Sequence, residues 1–359
     1  MSEMKLKIYD ENYIASLTKK RVGETRLGEK VKTLQVNSSS NFSNELSNSK
    51  SKYVLLGLPE DIGVRANFGR GGAYSAWQPS LNTLLNVQSN HLLIGDELLI
   101  LGHIDFSDIM LEFKDADFTD ISIVNKARSC VTEIDDVVYN VVLQIIKAGK
   151  EPIIIGGGHN NAFPNLKATA DGLFALKKID SKKINCINCD AHSDLRPLEG
   201  RHSGNAFSYA YKEGFLDHYA MIGLHEIFNT GPVHELIQSE PKFKALFFDD
   251  IFVKEMFSFK DAIHQAINFT SNNFTALELD VDTIQNIPSS AKTSSGISTI
   301  QARQFVYEVA SKANLAYFHL AEAAPVLSHI KTDLKTGKLL AYLITDYIKA
   351  RNSWHNQHV

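Results

Sequence analysis

INCINCDAHSDLRP, residues 184–197, carries an apolar run of strand length directly into Asp190, His192 and Asp194. Extended chain places alternate side chains on one face, so the three titratable groups are expected to converge where a buried strand ends. In open α/β sheets, ligands bind in the crevice beyond the carboxyl ends of the strands. The stretch therefore predicts both a buried sheet and a site at its edge.

Runs of the same kind recur along the chain: YVLLGL (53–58), LLILGH (98–103), PIIIGG (152–157), YAMIGL (219–224), ALFFDD (245–250), TALELDV (275–281) and AYFHLAE (316–322). Amphipathic stretches predict helices over 121–148, 161–176, 260–269, 299–312 and 338–351. Strands alternating with helices imply crossover connections and a mostly parallel sheet covered on both faces. The fold class expected is α/β, a doubly wound sheet in one domain over 53–359. Residues 1–52 are expected to form an N-terminal arm, its end (37–52, NSSSNFSNELSNSKSK) a Ser/Asn-rich loop or mobile connector.

The chain has 359 residues, 44% hydrophobic and 22% charged, with a net charge of −4. That is ordinary globular composition. No basic face serves a nucleic acid and no polybasic segment serves a membrane. The opening residues lack the apolar core of a signal peptide, and a cytoplasmic location is expected. Of three cysteines, Cys186 and Cys189 form a C-x-x-C inside one predicted strand. Residues three apart on a strand face opposite ways, so these thiols are expected to fill cores rather than share a metal.

Two further strand ends carry chemistry. GGGH (156–159) ends in His159, and DVD (280–282) supplies Asp280 and Asp282. Four carboxylates crowded together without cations would raise one another's pKa and protonate. Two divalent ions balance them, and the oxygen-rich donor set with two imidazoles suits Mn²⁺. A metal pair roughly 3.5–4 Å apart can acidify a water toward neutrality. Gly57, Gly63, Gly69, Gly71 and Gly72 lack the G-K-[ST] of a phosphate loop and are expected in turns. His225 is expected either to face the cleft or to be a satisfied loop histidine, and Asn161 to orient a ligand or cap a helix.

In that order, GGGH, DAHSD (190–194) and DVD resemble the ureohydrolase family of arginases, agmatinases and formimidoylglutamases. LLGLPEDIGVRANFGRGGA (55–73) and HLAEAAP (319–325) extend the resemblance from about Tyr53 onward. It implies a three-layer α/β/α fold and two Mn²⁺ ions per chain. One ion would take His159, Asp190, Asp194 and Asp280; the other would take His192, Asp190, Asp280 and Asp282. Asp194 is implied as the catalytic proton carrier, and a homo-oligomer acting on a small amidine is implied as the working form.

Within the family, the sequence departs from arginase. Phe207 in SGNAF (203–207) stands where arginases carry a proton-shuttling histidine, and Gln285 replaces an aspartate. The glutamate that pairs with a guanidinium aligns through GISTIQ (296–301) with Gln301. Gly158 and DLR (194–196) are instead similar to formimidoylglutamases, which implies hydrolysis of N-formimidoyl-L-glutamate to L-glutamate and formamide, a step of histidine breakdown. Arg196, Arg201, His202 and Asn205 are the expected substrate contacts, since arginine pairs bidentately with carboxylates. The alternatives are a hydrolase of guanidine compounds and an inactive metal-binding homologue.

Overall fold

A computed structural model describes residues 5–35, 42–328 and 334–357. The strands are β1 (Leu6–Ile8), β2 (Tyr53–Gly57), β3 (Leu98–Ile104), β4 (Glu151–Ile155), β5 (Ile184–Cys189), β6 (Leu216–Leu224), β7 (Phe243–Phe247), β8 (Thr275–Asp280) and β9 (Leu315–Ala321). They form one sheet in the order β1-β3-β2-β4-β9-β8-β5-β6-β7. Every neighbouring pair is parallel except β1 against β3.

Parallel strands covered on both faces need apolar side chains on both, and this explains the continuous runs in the sequence. Ile153 and Ile155 enter one core while Ile154 enters the other. The first core is closed by helices Trp77–Leu84, Phe259–Phe269, Thr299–Lys312 and Leu334–Gln357. Helices Ile121–Lys147, Ala162–Ala175, Ala206–Lys212 and Gly231–Ser239 close the second. The result is the expected three-layer α/β/α arrangement. Cys189 lies in one core and Cys186 in the other, and neither forms a disulfide.

Two features depart from the sequence expectations before residue 53. Leu6–Ile8 joins the sheet as its antiparallel edge, and the following Tyr9 hydroxyl accepts the Trp77 indole N–H at 3.0 Å and pairs with His103 Nδ1 at 2.7 Å. The loop expected over 37–52 contains a helix, Phe42–Asn48. Phe42 and Leu46, four apart on its inner face, are fully buried and anchor it despite the polar composition. Residues 37–41 of that expectation lie outside the described residues.

The crossover from β4 to β5 leaves two places between them, filled by β9 and β8. The carboxyl ends of four central strands thus lie side by side at the crevice. Among the described residues, no helix is long and apolar enough to cross a membrane.

Candidate metal centre

Each central strand ends in a turn that aims its side chains. Backbone extension stops at Cys189 and at Asp280, so the alternation expected to continue through Asp194 and Asp282 is replaced by turns. Asp190 Oδ1 accepts the His192 N–H at 2.7 Å, and Asp280 Oδ1 accepts the Asp282 N–H at 2.8 Å. Each aspartate thereby braces its own turn with one oxygen and turns the other inward. Asp190 Oδ2 stands 3.2 Å, and Asp280 Oδ2 3.4 Å, from His159 Nδ1. Asp194 has φ +50°, a left-handed conformation that aspartate tolerates better than most residues. That bend brings its Oδ2 to 3.0 Å from the same nitrogen.

His192 Nδ1 lies 3.5 Å from Asp190 Oδ1 and 3.3 Å from Asp282 Oδ2. Five of the six expected side chains therefore meet in two overlapping groups, His159 with Asp190 and Asp194, and His192 with Asp190 and Asp282; the sixth, Asp280, joins through its approach to His159. His159 is 1% exposed and His192 32%, so the second group faces the cleft mouth. Phe228 stacks on the His192 ring with centroids 5.4 Å apart.

Electrostatics show what the cluster lacks. Burial holds Asp194 above the ordinary carboxylate range. Burial, followed by the charges of Asp282 and Asp190, drives Asp280 well above it. Asp190 moves down: burial opposes its ionisation, but the His159 and His192 rings more than reverse that. Both ring nitrogens of His159 and Oδ1 of Asp282 are buried without a hydrogen-bond partner. The orphaned Nδ1 of His159, among carboxylates that cannot all ionise, is what a divalent pair would satisfy, and the donor set fits one.

The GGGH turn is held from behind by Glu60. Its Oε1 accepts from Gly158 N (3.1 Å), Asn160 Nδ2 (3.2 Å) and Asn161 Nδ2 (2.6 Å). Asn161 is thus a brace of this turn rather than a cleft residue.

Above the cluster opens a cavity of about 380 Å³, lined by His192, Asp194, Asp280 and Asp282 and walled by Arg196, Asn67, Ser203, Phe228 and Glu322 among others. Of the four expected substrate contacts, Arg196 lines it. Arg201, His202 and Asn205 do not, and the expectation for them is corrected. Buried Arg201 pairs with Asp135 at 2.8 Å, donates to Asn205 Oδ1 and to the Asn160 carbonyl at 2.8 Å each, and lies against the Phe163 and Tyr209 rings. Asn205 spends its amide on the Pro197 and Gly200 carbonyls. His202 accepts the Gly204 N–H at 3.2 Å, and its imidazole is pushed down to about 3 by burial and then by Arg128, Arg196 and Arg201. Composition marked these three as polar; only packing shows that their partners are already internal.

Phe207 sits under the cluster, edge-on to His159 and stacked on Tyr219. His225 is sandwiched between Phe228 and Phe248 outside the cavity lining. Gln301 is not at the cleft either, because its Oε1 accepts the Ser298 N–H and caps a helix. Two carboxylates at the cleft that sequence reasoning missed are Glu199 and Glu322, the latter just past the end of β9 and against the cluster. Glu322 Oε1 accepts the His159 N–H at 2.9 Å and its Oε2 the Ser290 hydroxyl at 3.1 Å. Burial raises it to about 8. The AYFHLAE run pointed to its strand end, but no motif singled it out.

A parallel α/β/α sheet with overlapping carboxylate–imidazole groups at the ends of its central strands defines a class with a binuclear metal centre. The chain belongs to the arginase family, whose sequence profile matches residues 92–348. A formimidoylglutamase of Salmonella newport (strain SL254) is 26% identical over 300 residues, covering 81% of this chain and 83% of the relative. Among solved structures, formimidoylglutamase from Bacillus subtilis superposes with a TM-score of 0.71 at 16% identity, covering 93% of this chain and 94% of that one. Trypanosoma cruzi formiminoglutamase with Mn²⁺ gives 0.67 at 18% identity, over 91% and 98%. These structural likenesses establish a shared fold.

Proposed function

We propose that the chain hydrolyses N-formimidoyl-L-glutamate to L-glutamate and formamide, using two Mn²⁺ ions at the six-residue cluster. The observation that carries this is the approach of four carboxylates and two imidazoles to one another beneath a cleft walled by both Arg196 and Glu322. The curated relatives named formimidoylglutamase support the choice of amidine.

His159, Asp190, Asp194 and Asp280 would hold one ion, and His192, Asp190, Asp280 and Asp282 the other. A divalent pair held there supplies acidification of water toward neutrality and polarisation of the amidine carbon. Asp194, at the cavity surface, takes the proton of the attacking water and passes it to the leaving nitrogen, general acid–base work suited to a carboxylate in reach of both. Glu322 accepts hydrogen bonds from the formamidine N–H groups. Arg196 pairs with one substrate carboxylate; neutral donors on the same wall, Asn67 and Ser203, meet the second. Phe228 and Val64 supply part of the apolar cavity wall. A cavity of about 380 Å³ suits a substrate of this size. The three unpaired cysteines fit a cytoplasmic setting.

Product analysis on formimidoylglutamate, agmatine and arginine, with Mn²⁺ present, tests the proposal. Formamide and glutamate from the first substrate alone are expected; urea from either guanidine compound without formamide overturns it. A guanidine substrate is the second reading, favoured by Glu322, because guanidinium and amidinium offer similar donors to a carboxylate.

A further inference from the structure

We infer that Glu278, held by Tyr317 and His319, is a positioning residue behind the metal centre that fixes the His159 ring with Nδ1 toward the ligand carboxylates, an inference that rests on the metal centre proposed above. Glu278 precedes Asp280 by two residues on β8, so the two side chains leave the same face of the sheet. His319 is its direct neighbour across the β8–β9 ladder, and Tyr317 lies two residues earlier on the same face of β9. All three are fully buried.

The Tyr317 hydroxyl donates to Glu278 Oε1 at 2.6 Å, and His319 Nδ1 pairs with Oε2 at 2.7 Å. The other nitrogen of His319 stands 3.2 Å from the Gly156 carbonyl, in the turn that leads to His159. Oε2 also lies 3.5 Å from His159 Nε2. The His159 ring thus has three ligand carboxylates on its Nδ1 edge and one carboxylate behind its Nε2 edge. A metal-ligating histidine whose second nitrogen faces a carboxylate is fixed in tautomer and orientation, and loss of such a partner weakens metal binding by roughly 10–100-fold.

Core packing alone does not account for Glu278. A buried carboxylate carries a desolvation penalty that an apolar residue of similar size would avoid. A third cation among His159, Glu278 and His319 is the competing possibility, but both Glu278 oxygens are already engaged by Tyr317 and His319.

Mn²⁺ titration of the metal-depleted full chain by calorimetry, with electron paramagnetic resonance of the loaded pair, tests the role without substrate. The unaltered chain is expected to bind two ions. Glu278→Gln is expected to weaken one of them about tenfold or more and to change the spectrum of the pair. Tyr317→Phe, which keeps the ring and deletes one donor, is expected to weaken the same ion less. Variants that bind both ions as tightly as the unaltered chain, with the same spectrum, overturn the inference whatever their stability. If Glu278→Gln does not fold, unchanged affinity in Tyr317→Phe overturns it alone. An unaltered chain that binds no Mn²⁺ instead defeats the metal centre itself.

Discussion

Gly158 has space for hydrogen and nothing larger. Its φ of −70° is open to any residue, but an ideal Cβ would stand 2.5 Å from Asn160 Oδ1, 2.8 Å from Val64 Cγ2 and 3.3 Å from Glu322 Oε1. Space, not strain, therefore selects glycine beside His159. Gly158→Ala is expected to cost about 1–3 kcal/mol in a urea titration, as overpacking does, and to loosen Mn²⁺ binding by displacing the His159 turn. Arg196 offers a cleaner test of specificity. Arg196→Met should raise KM for formimidoylglutamate about tenfold or more with kcat nearly unchanged, the pattern of lost uniform binding; an unaltered KM would remove its guanidinium from the substrate. At this scale the candidate metal donors are legible because three motifs place them at strand ends. Glu322 is not, since the likeness of HLAEAAP to the family's last strand assigns its glutamate no role.

Elements were read more completely where burial is two-sided. Eight strands announced themselves as continuous apolar runs, a consequence of helices covering both faces of the sheet. Leu6–Ile8 escaped because three residues on an edge give no periodicity, and Phe42–Asn48 because two apolar anchors are diluted by serine and asparagine. The edge strand, paired with β3, is also tied down by a side chain just beyond it. Tyr9→Phe removes the acceptor of the Trp77 N–H and the partner of His103. It is expected to lower stability by about 1–3 kcal/mol, the cost of leaving a buried donor unmet, while activity per folded molecule stays unchanged. Thermal unfolding with parallel assays at low temperature checks both halves.

For the whole molecule, cations and protons act on stability in distinct ways. Ions that bind the folded chain alone stabilise it by about 2.7 kcal/mol at a hundredfold excess over Kd, so chelation should lower Tm and Mn²⁺ should restore it; a Tm indifferent to both would argue against an assembled centre. His202 supplies the pH dependence. Its folded pKa of about 3 lies below the ordinary value near 6.5, so the folded state gains from its neutrality at higher pH. That gain is present above about pH 6.5 and is lost as pH falls toward 3. His202→Asn, which can still accept the Gly204 N–H, should flatten the fall in unfolding free energy across that window; a parallel fall in both proteins would assign the acid sensitivity elsewhere.

The order of the sheet also bears on how the chain is made. β8 and β9, at the heart of the molecule, come latest in chain order among the described strands, and they insert between β4 and β5. That order leaves β4 without its β9 neighbour until residue 321 has been made, so the two halves of the sheet are expected to stay unjoined until then. A chain cut short before that point is expected to keep much of its secondary structure, to hold no complete catalytic crevice, and to need a chaperone to shield the seam.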